Sequence, residues 1–246
     1  MSKPILHVFL ISHYCEKARW ALDLCEIDYQ LNLLSPLSHS KTAKEIGAQS
    51  AALPILQTTT GVIQGSASII EWASSQACKN GKSGLSITPE STLIEKRLDD
   101  VLGVHARRWF YSEALLDCPE SVKPVFAVGS GFLKRAALSL AWPKVVATMI
   151  KRMDLGPDQE LESRTIVSGE LDWLESMLDD RSDYLVEGSI SNADIAAASL
   201  IAPMFVPPNH PAATIITVPP RAAATASQWR SRPVANWLMK LYQENR

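Results

Sequence analysis

The sequence predicts a small α/β domain followed by an all-helical domain. In the first eighty residues, short β-branched and aromatic runs alternate with segments of helical periodicity. A run rich in Gly, Ser and Pro follows, and beyond it the pattern is helical almost throughout. A chain of 246 residues is long enough for two compact domains. We therefore expect an α/β domain over residues 1–80, a linker over 81–90 and a helical domain over 91–246.

The α/β part has the element order βαβ-α-ββα. Strand, helix and strand are predicted from "ILHVFLI", "YCEKARWALDLCE" and "DYQLNLL". After a short helix, "LPILQ" and "GVIQ" flank a Thr/Gly turn typical of a hairpin, and "SASIIEWASSQACK" predicts a closing helix capped by Ser66. A parallel pair joined by a crossover helix and then an antiparallel hairpin would form one small mixed sheet.

The remainder predicts bundle helices. One begins at Ser91, another covers "ESRTIVSGELDWLESMLDD", and Ser191 and Asp194 have the spacing of a capping box. The chain closes on a predicted amphipathic helix with Pro233 near its start or at a kink. Between the last helices, the proline-rich "PMFVPPNHPAATIITVPPRAA" predicts an extended loop.

The composition argues against several classes of protein. The 24 Lys and Arg are balanced by 26 Asp and Glu, which disfavours a nucleic-acid binder. No apolar run approaches the roughly 20 residues that span a bilayer, so we expect no membrane insertion. The four cysteines are widely spaced, without a C-x-x-C pair or a zinc-type cluster, so we expect no disulfide framework, no structural metal and a cytoplasmic location.

Four motifs together resemble the cytosolic glutathione transferase family. They are "SHYCEKARWAL", "LPIL", "GSASIIEW" and "YLVEGSISNADIAAA", in this order. The resemblance covers nearly the whole chain and implies a thioredoxin-like N-terminal domain followed by an all-helical domain. It also implies glutathione as co-substrate, a small hydrophobic electrophile as its partner, no metal, a homodimer and a role in detoxification.

The resemblance makes Ser12 the first candidate for a catalytic residue. It lies at the junction of the first strand and first helix, where unpaired backbone amides stabilise an anion such as a thiolate. In the family, a hydroxyl at this place donates a hydrogen bond to the sulfur of glutathione. A serine there also caps a helix without any chemistry, and the phenol of nearby Tyr14 is a further alternative.

Cys15 is the alternative that would change the reaction class. "SHYC" resembles a C-x-x-C redox motif whose attacking cysteine has become serine, and Cys15 occupies the resolving position. A buried thiol far from positive charge would only pack, but Lys17 and Arg19 are close in sequence and could lower its pKa. A glutathione-dependent reductase, lyase or isomerase therefore stays open, as does a glutathione transferase-like binding protein without turnover.

The resemblance also assigns the glutathione contacts. Leu53–Pro54 matches a cis-proline whose preceding backbone pairs with the cysteinyl part of glutathione, and Ser66 matches the serine that binds the γ-glutamyl carboxylate. The family's acidic or amide residue before this serine is here Gly65, so that one contact is missing or comes from the other subunit. Lys41 and Gln49, with His39 as a further candidate, fall in the region that contacts the glycyl end.

The electrophile pocket is expected along "HARRWFYSEALL". The resemblance brings this helix to the glutathione site, and its aromatic and apolar side chains suit such a pocket. Arg108, Trp109 and Tyr111 are the candidates, although the aromatics could equally be core and the arginines a solvated face. The proline-rich loop would form an edge of the same pocket.

Overall fold

The computed structural model describes residues 2–178, 183–186 and 188–246. Its N-terminal domain contains one four-stranded sheet in the order β2-β1-β3-β4. β1 is parallel to β2 and antiparallel to β3, and β3 and β4 form the predicted hairpin. The strands are β1 (Ile5–Val8), β2 (Gln30–Leu33), β3 (Ile55–Thr58) and β4 (Gly61–Gln64).

Three helices complete this domain: α1 (His13–Leu24), α2 (His39–Glu45) and α3 (Ser66–Lys79). α1 and α3 pack on each other through fully buried apolar side chains that include Ala18, Ala21, Ile69 and Ala73. This burial is what holds the short strands in one sheet, because four-residue strands alone are only marginally stable. The predicted order βαβ-α-ββα is confirmed.

The rest of the chain is helical, as predicted. The helices are α4 (Pro89–Arg97), α5 (Gly103–Asp117), α6 (Lys123–Ala127), α7 (Phe132–Met153), α8 (Pro157–Met177), α9 (Asn192–Phe205), α10 (Pro220–Arg230) and α11 (Pro233–Asn245). A π-helical segment, Leu98–Leu102, joins α4 to α5, and a short 3₁₀ turn, Pro119–Ser121, follows α5. None of the described helices is long and apolar enough to cross a membrane.

The predicted helix boundaries need two corrections in this domain. α4 begins earlier than expected, because Thr88 is the N-cap and Ser91 completes its capping box from inside the helix. The single terminal helix is in fact two, because the chain leaves α10 at Ser231 and starts α11 at Pro233, whose ring cannot continue a helix. The predicted capping box of Ser191 and Asp194 is confirmed at the start of α9.

A buried ion cluster joins the two domains. The ammonium of Lys17, on α1, is fully buried and lies 2.7 Å from a carboxylate oxygen of Glu95 and 2.6 Å from one of Asp99. Glu95 also accepts a 2.6 Å hydrogen bond from the side chain of Asn192. Removing such charges from water is costly unless each is partnered, so this set of contacts strongly favours one position of α1 against the π-helical segment.

Candidate active site

A cavity of about 740 Å³ lies between the two domains. Its N-terminal wall is the segment that follows β1, the start of α1, the loop leading into α2 and the loop that ends at Leu53. Its C-terminal wall comes from α5, α6, α7 and the end of α9. Phe9 stands at the junction, with its ring 5.1 Å from that of His39 and 5.9 Å from that of Phe126. We call this space the interdomain cavity.

Ser12 lines the interdomain cavity and is the N-cap of α1. Its hydroxyl oxygen accepts a 3.4 Å hydrogen bond from the backbone N–H of Cys15, which confirms that Ser12 caps the helix. The side chain is only half-buried and therefore stays accessible from the cavity. A hydroxyl at the positive end of a helix, facing a large cavity, can cap the helix and also donate to a ligand anion.

Cys15 lies behind Ser12 and does not line the interdomain cavity. Its side chain has 0% exposure, and burial raises the pKa of the thiol to about 11, against smaller opposing effects of the Ser12 hydroxyl, the Phe9 backbone and Arg19. Lys17, which could have lowered this pKa, is committed to Glu95 and Asp99. These observations disfavour the thiol as a nucleophile, because the thiolate is the reactive form.

His13 and Tyr14 also line the cavity, and both are held by backbone carbonyls of the helical domain. The His13 Nε2 lies 2.9 Å from the carbonyl oxygen of Gly103, and the Tyr14 hydroxyl donates a 2.6 Å hydrogen bond to that of Asp99. Burial raises the pKa of Tyr14, with the Asp99 carboxylate acting in the same direction. The phenol is therefore not poised to lose a proton near neutral pH.

A smaller space of about 260 Å³, which we call the side pocket, adjoins the same region. Leu53 and Tyr14 line both spaces, and Pro54, Gly65, Ser66 and Asp99 line the side pocket. The Leu53–Pro54 peptide is cis, as predicted. Because two residues line both spaces, the spaces are neighbours, with Ser12 in the wall of one and the start of α3 in the wall of the other.

The start of α3 differs by one residue from the prediction. Gly65 is the N-cap, with a φ of 93° that favours glycine, and Ser66 is the first residue of the helix. A Cβ on Gly65 would meet nothing within 4 Å, so backbone conformation rather than crowding explains the glycine. The Ser66 hydroxyl makes no hydrogen bond to any residue that the structure describes, although the side chain is buried. A polar group of this kind at a helix N-terminus suits a carboxylate ligand.

Lys41 and Gln49 lie outside the wall of the interdomain cavity. Both are exposed, and the Lys41 ammonium lies 3.7 Å from Glu45 on the outer face of α2. Neither lines the interdomain cavity, so their assignment to the glycyl end stays a prediction without support from the cavity lining. The same stretch contributes His39 and Ser40 instead, because the N-terminal turn of α2, not its middle, faces the cavity.

The helix predicted for the electrophile pocket is α5, but a different face of it lines the cavity. Tyr111 does line it, whereas Trp109 is fully buried with its ring 4.6 Å from that of Trp229. Arg108 points to α8, where it donates to Ser163 and pairs with Glu162. Trp109 therefore lies in the core, and Arg108 joins α5 to α8; neither lines the cavity.

The residues of α5 that do face the cavity, besides Tyr111, are Ala106, Arg107 and Phe110. Sequence reasoning also missed the wall formed by α7, at Ala141, Lys144, Val145, Thr148, Met149, Arg152 and Met153. These positions repeat at spacings of three and four, which is the signal of one helix face. The proline-rich segment contributes through its first residues, Pro203 and Met204, which end α9 rather than form a loop.

Within the described residues, no group of three His, Cys, Asp or Glu side chains is placed to hold a metal ion. The polar groups that line the cavity are hydroxyl, imidazole, guanidinium and ammonium groups, and the rest of its wall is apolar. This set suits an organic ligand with anionic groups.

Comparison with known proteins agrees with this fold. Residues 6–81 match the family model "Glutathione S-transferase, N-terminal domain". A search of curated proteins finds no significant match. Residues 6–81 therefore resemble a glutathione S-transferase N-terminal domain, and this match does not extend to the helical domain.

Solved structures show the same fold over the whole chain. The β-etherase LigF from Sphingobium sp. strain SYK-6 is 18% identical, with 100% of each chain covered and a TM-score of 0.60. The glutathione transferase GSTFuA3 from Phanerochaete chrysosporium is 11% identical, with 100% of this chain and 98% of that chain covered and a TM-score of 0.67. A glutathione S-transferase from Methylobacterium radiotolerans, in complex with glutathione sulfonate, is 18% identical, with 96% and 95% covered and a TM-score of 0.55.

Proposed function

We propose that this protein is a glutathione S-transferase that conjugates glutathione to a small hydrophobic electrophile, with Ser12 activating the sulfur. The observation that carries the proposal is the position of the Ser12 hydroxyl, at the N-terminus of α1 and in the wall of the interdomain cavity. The match of residues 6–81 to the family model and the Ser66 hydroxyl in the side pocket support it.

Glutathione, when bound, supplies a thiolate that displaces a leaving group or adds to an electrophilic carbon. The Ser12 hydroxyl donates a hydrogen bond that stabilises the charged sulfur, and the backbone amides of the first turn of α1 add the favourable field of a helix end. Each unit by which these groups lower the pKa of the thiol is worth about 1.4 kcal/mol. Between them they raise the thiolate fraction at neutral pH.

The remaining contacts follow from the same site. Ser66 receives the γ-glutamyl carboxylate at the N-terminus of α3, and the backbone of Leu53 pairs with the cysteinyl part. Asp99, the one acidic residue among the described residues of the side pocket, is the candidate partner of the α-amino group that Gly65 cannot serve. At the other end, His39 and Ser40 replace Lys41 and Gln49 as candidates for the glycyl carboxylate.

Calorimetry with glutathione tests this proposal directly. We expect binding to the native chain and weaker binding to Ser66→Ala, because the hydroxyl contact is lost. Lys41→Ala is the matched control outside the site and should bind as the native chain does. Absence of any heat or thermal shift at millimolar glutathione would contradict the transferase proposal and favour a binding protein with another ligand.

A lyase is the second candidate, and the similarity to a β-etherase favours it. Such a reaction needs no different residue here: the sulfur, stabilised by Ser12, would form a C–S bond while the C–O bond of an aryl ether breaks and the phenolate leaves. Release of a phenol from an aryl ether substrate, dependent on glutathione and on Ser12, would identify it. A reductase based on Cys15 is disfavoured by the burial of that thiol.

The homodimer and the cytoplasmic location stay predictions. Three large apolar side chains of α7 are strongly exposed, Phe132 at 83%, Leu133 at 82% and Leu140 at 88%, and we propose this face for contact with a second copy. Light scattering after size exclusion should then give twice the monomer mass for the native chain. Leu140→Glu should give the monomer mass, and an unchanged dimer would exclude this face.

A further inference from the structure

The interdomain cavity carries positive charge without any negative charge to balance it. Arg107, Lys144 and Arg152 line it, and no Asp or Glu is among its described lining residues. None of these three side chains forms an ion pair with any residue in the described part of the chain, although the two domains contain many ion pairs elsewhere. The whole chain has a net charge of −2, so the positive charge is a local feature of this wall.

Arg107 is the most informative of the three. It is half-buried, and its Nε is buried without a hydrogen-bond partner among the described residues. The next residue, Arg108, is satisfied on the opposite side by Ser163 and Glu162. A guanidinium nitrogen that is buried without a partner is costly, and an anionic ligand in the cavity would supply the missing acceptor.

The surroundings of Arg107 define the rest of that ligand. Phe110 and Tyr111 lie on the same face of α5, and Met149, Leu200 and Met204 complete an apolar wall. Lys144 and Arg152 lie eight residues apart on one face of α7, at the exposed rim. An apolar wall beside a guanidinium without an ion pair suits an amphipathic organic anion with an apolar body of aromatic size.

We infer that the electrophilic co-substrate is an aromatic or aliphatic organic acid whose anionic group is bound by Arg107, with Lys144 and Arg152 attracting it at the rim. The inference rests on the proposed function and narrows its substrate class. Glutathione is the competing anion, but its two carboxylates have separate candidate partners in Ser66 and in His39 with Ser40. Arg107 lies one helical turn beyond Gly103, the residue that holds His13.

A matched pair of fluorescent probes tests the inference. Anilinonaphthalene sulfonate carries a sulfonate, and N-phenylnaphthylamine has the same ring system without it. We expect Arg107→Met to weaken binding of the sulfonate by about tenfold, the loss expected for a charged hydrogen bond, while the neutral probe keeps its affinity. Arg108→Met, which removes the adjacent arginine on the other face, is the control and should leave both affinities unchanged. Added salt should weaken sulfonate binding to the native chain more than to Arg107→Met.

Several outcomes would overturn the inference. If Arg107→Met loses affinity for both probes equally, Arg107 only packs against them. If it keeps its affinity for both, Arg107 does not face the ligand. Calorimetric loss of glutathione binding in Arg107→Met, with the sulfonate unaffected, assigns Arg107 to glutathione. If Arg107→Met does not fold, the double variant Lys144→Met/Arg152→Met at the exposed rim gives the same readout, and an unchanged sulfonate affinity there counts against the inference. If glutathione does not bind but Arg107→Met still loses affinity for the sulfonate alone, Arg107 binds an anion and the transferase proposal is wrong.

Discussion

The Tyr14 hydroxyl donates a 2.6 Å hydrogen bond to the backbone carbonyl of Asp99, and this bond ties the first helix of one domain to the π-helical segment of the other. The Asp99 carboxylate meanwhile binds the buried ammonium of Lys17, one turn further along α1. Two successive turns of α1 are thus held by a single residue of the helical domain. The wall of the site that contains Ser12 is positioned by these contacts, so Tyr14 is a structural residue in the structure.

Tyr14→Phe should therefore lower stability and spare catalysis. The carbonyl of Asp99 would lose its buried donor, which costs about 1–3 kcal/mol of unfolding free energy. Turnover with glutathione should stay close to that of the native chain, because the phenol is already committed and its pKa is raised. Urea unfolding and steady-state kinetics measure the two effects, and loss of turnover without loss of stability would restore the phenol as a catalytic group.

Gly103→Ala should destabilise the interface between the domains. An added Cβ would lie 2.5 Å from the Tyr14 hydroxyl oxygen and 3.0 Å from a methyl of Leu200. Alanine favours a helix by about 1 kcal/mol, but overpacking of this kind costs about 1–3 kcal/mol. We expect a net loss of stability in urea unfolding.

The double variant Gly103→Ala/Tyr14→Phe gives the control for this contact. Removing the hydroxyl relieves the shortest contact, so the two losses should be less than additive. Additive losses would mean that the strain at Gly103 comes from Leu200 or from the Tyr14 ring carbon Cζ, which lies 2.9 Å from the added Cβ and remains in phenylalanine.

Ser12→Ala should lower the rate by at least about tenfold, since one unit of thiol pKa corresponds to a factor of ten in thiolate. The pKa of bound glutathione, followed by thiolate absorbance, should rise by a similar amount. Removing the N-cap should also cost about 1 kcal/mol of stability, so that binding of glutathione must be checked at the same time.

Ser12→Thr is the matched variant for this test, because it keeps both the hydroxyl and the cap. We expect it to retain a low thiol pKa and most of the activity. Full activity in Ser12→Ala would mean that the Ser12 hydroxyl only caps α1 and does not activate the sulfur.

Cys15→Ser should retain activity, in contrast to Ser12→Ala. The thiol is buried with a pKa raised to about 11, so little of it is ionised at neutral pH. Iodoacetamide followed by mass spectrometry should label the exposed Cys78 and leave Cys15 unmodified in the folded chain. Rapid labelling of Cys15, or loss of activity in Cys15→Ser alone, would favour the glutathione-dependent reductase.

His13 should make stability fall as the pH is lowered. Burial, with the positive charge of Arg107, lowers its pKa from 6.5 to about 3. Between those values the unfolded chain binds a proton that the folded chain does not, so the unfolding free energy drops by about 1.4 kcal/mol per pH unit below the ordinary pKa. His13→Gln removes this titration and should flatten the dependence by that amount in urea unfolding at pH values of about 7 to about 5.

His210 has a similarly lowered pKa of about 3, so part of the dependence should remain in His13→Gln. An unchanged slope in that variant would mean that His13 is protonated in the folded protein. The lowered pKa, which keeps the His13 ring neutral beside the carbonyl of Gly103, would then be wrong.

Much of the architecture could be read from local sequence. The strand and helix order, the hairpin at the Thr/Gly turn, the cis peptide before Pro54 and the capping box of Ser191 and Asp194 all agree with the structure. Each depends on a few neighbouring residues whose conformational preferences act over one or two turns of chain. Ser12 was placed correctly for the same reason, since a strand-to-helix junction is a local feature.

The face of α5 that meets the cavity was decided only by tertiary packing. Local periodicity shows that Arg107, Arg108, Trp109 and Tyr111 lie on a helix, but residues this close in sequence point in every direction around its axis. Which of them is core depends on α8 and α10, distant in sequence, which cover Arg108 and Trp109 and leave Arg107 facing the cavity.

The sequence by itself thus determined the two domains, their order and the junction at which Ser12 lies. The tertiary structure decided that Lys17 is neutralised by Glu95 and Asp99, and that the thiol of Cys15 is sealed from the site. The physical reason is range. Backbone preferences act between near neighbours, whereas burial and charge pairing depend on groups that are distant in the chain, such as Lys17 and Asp99, which are 82 residues apart.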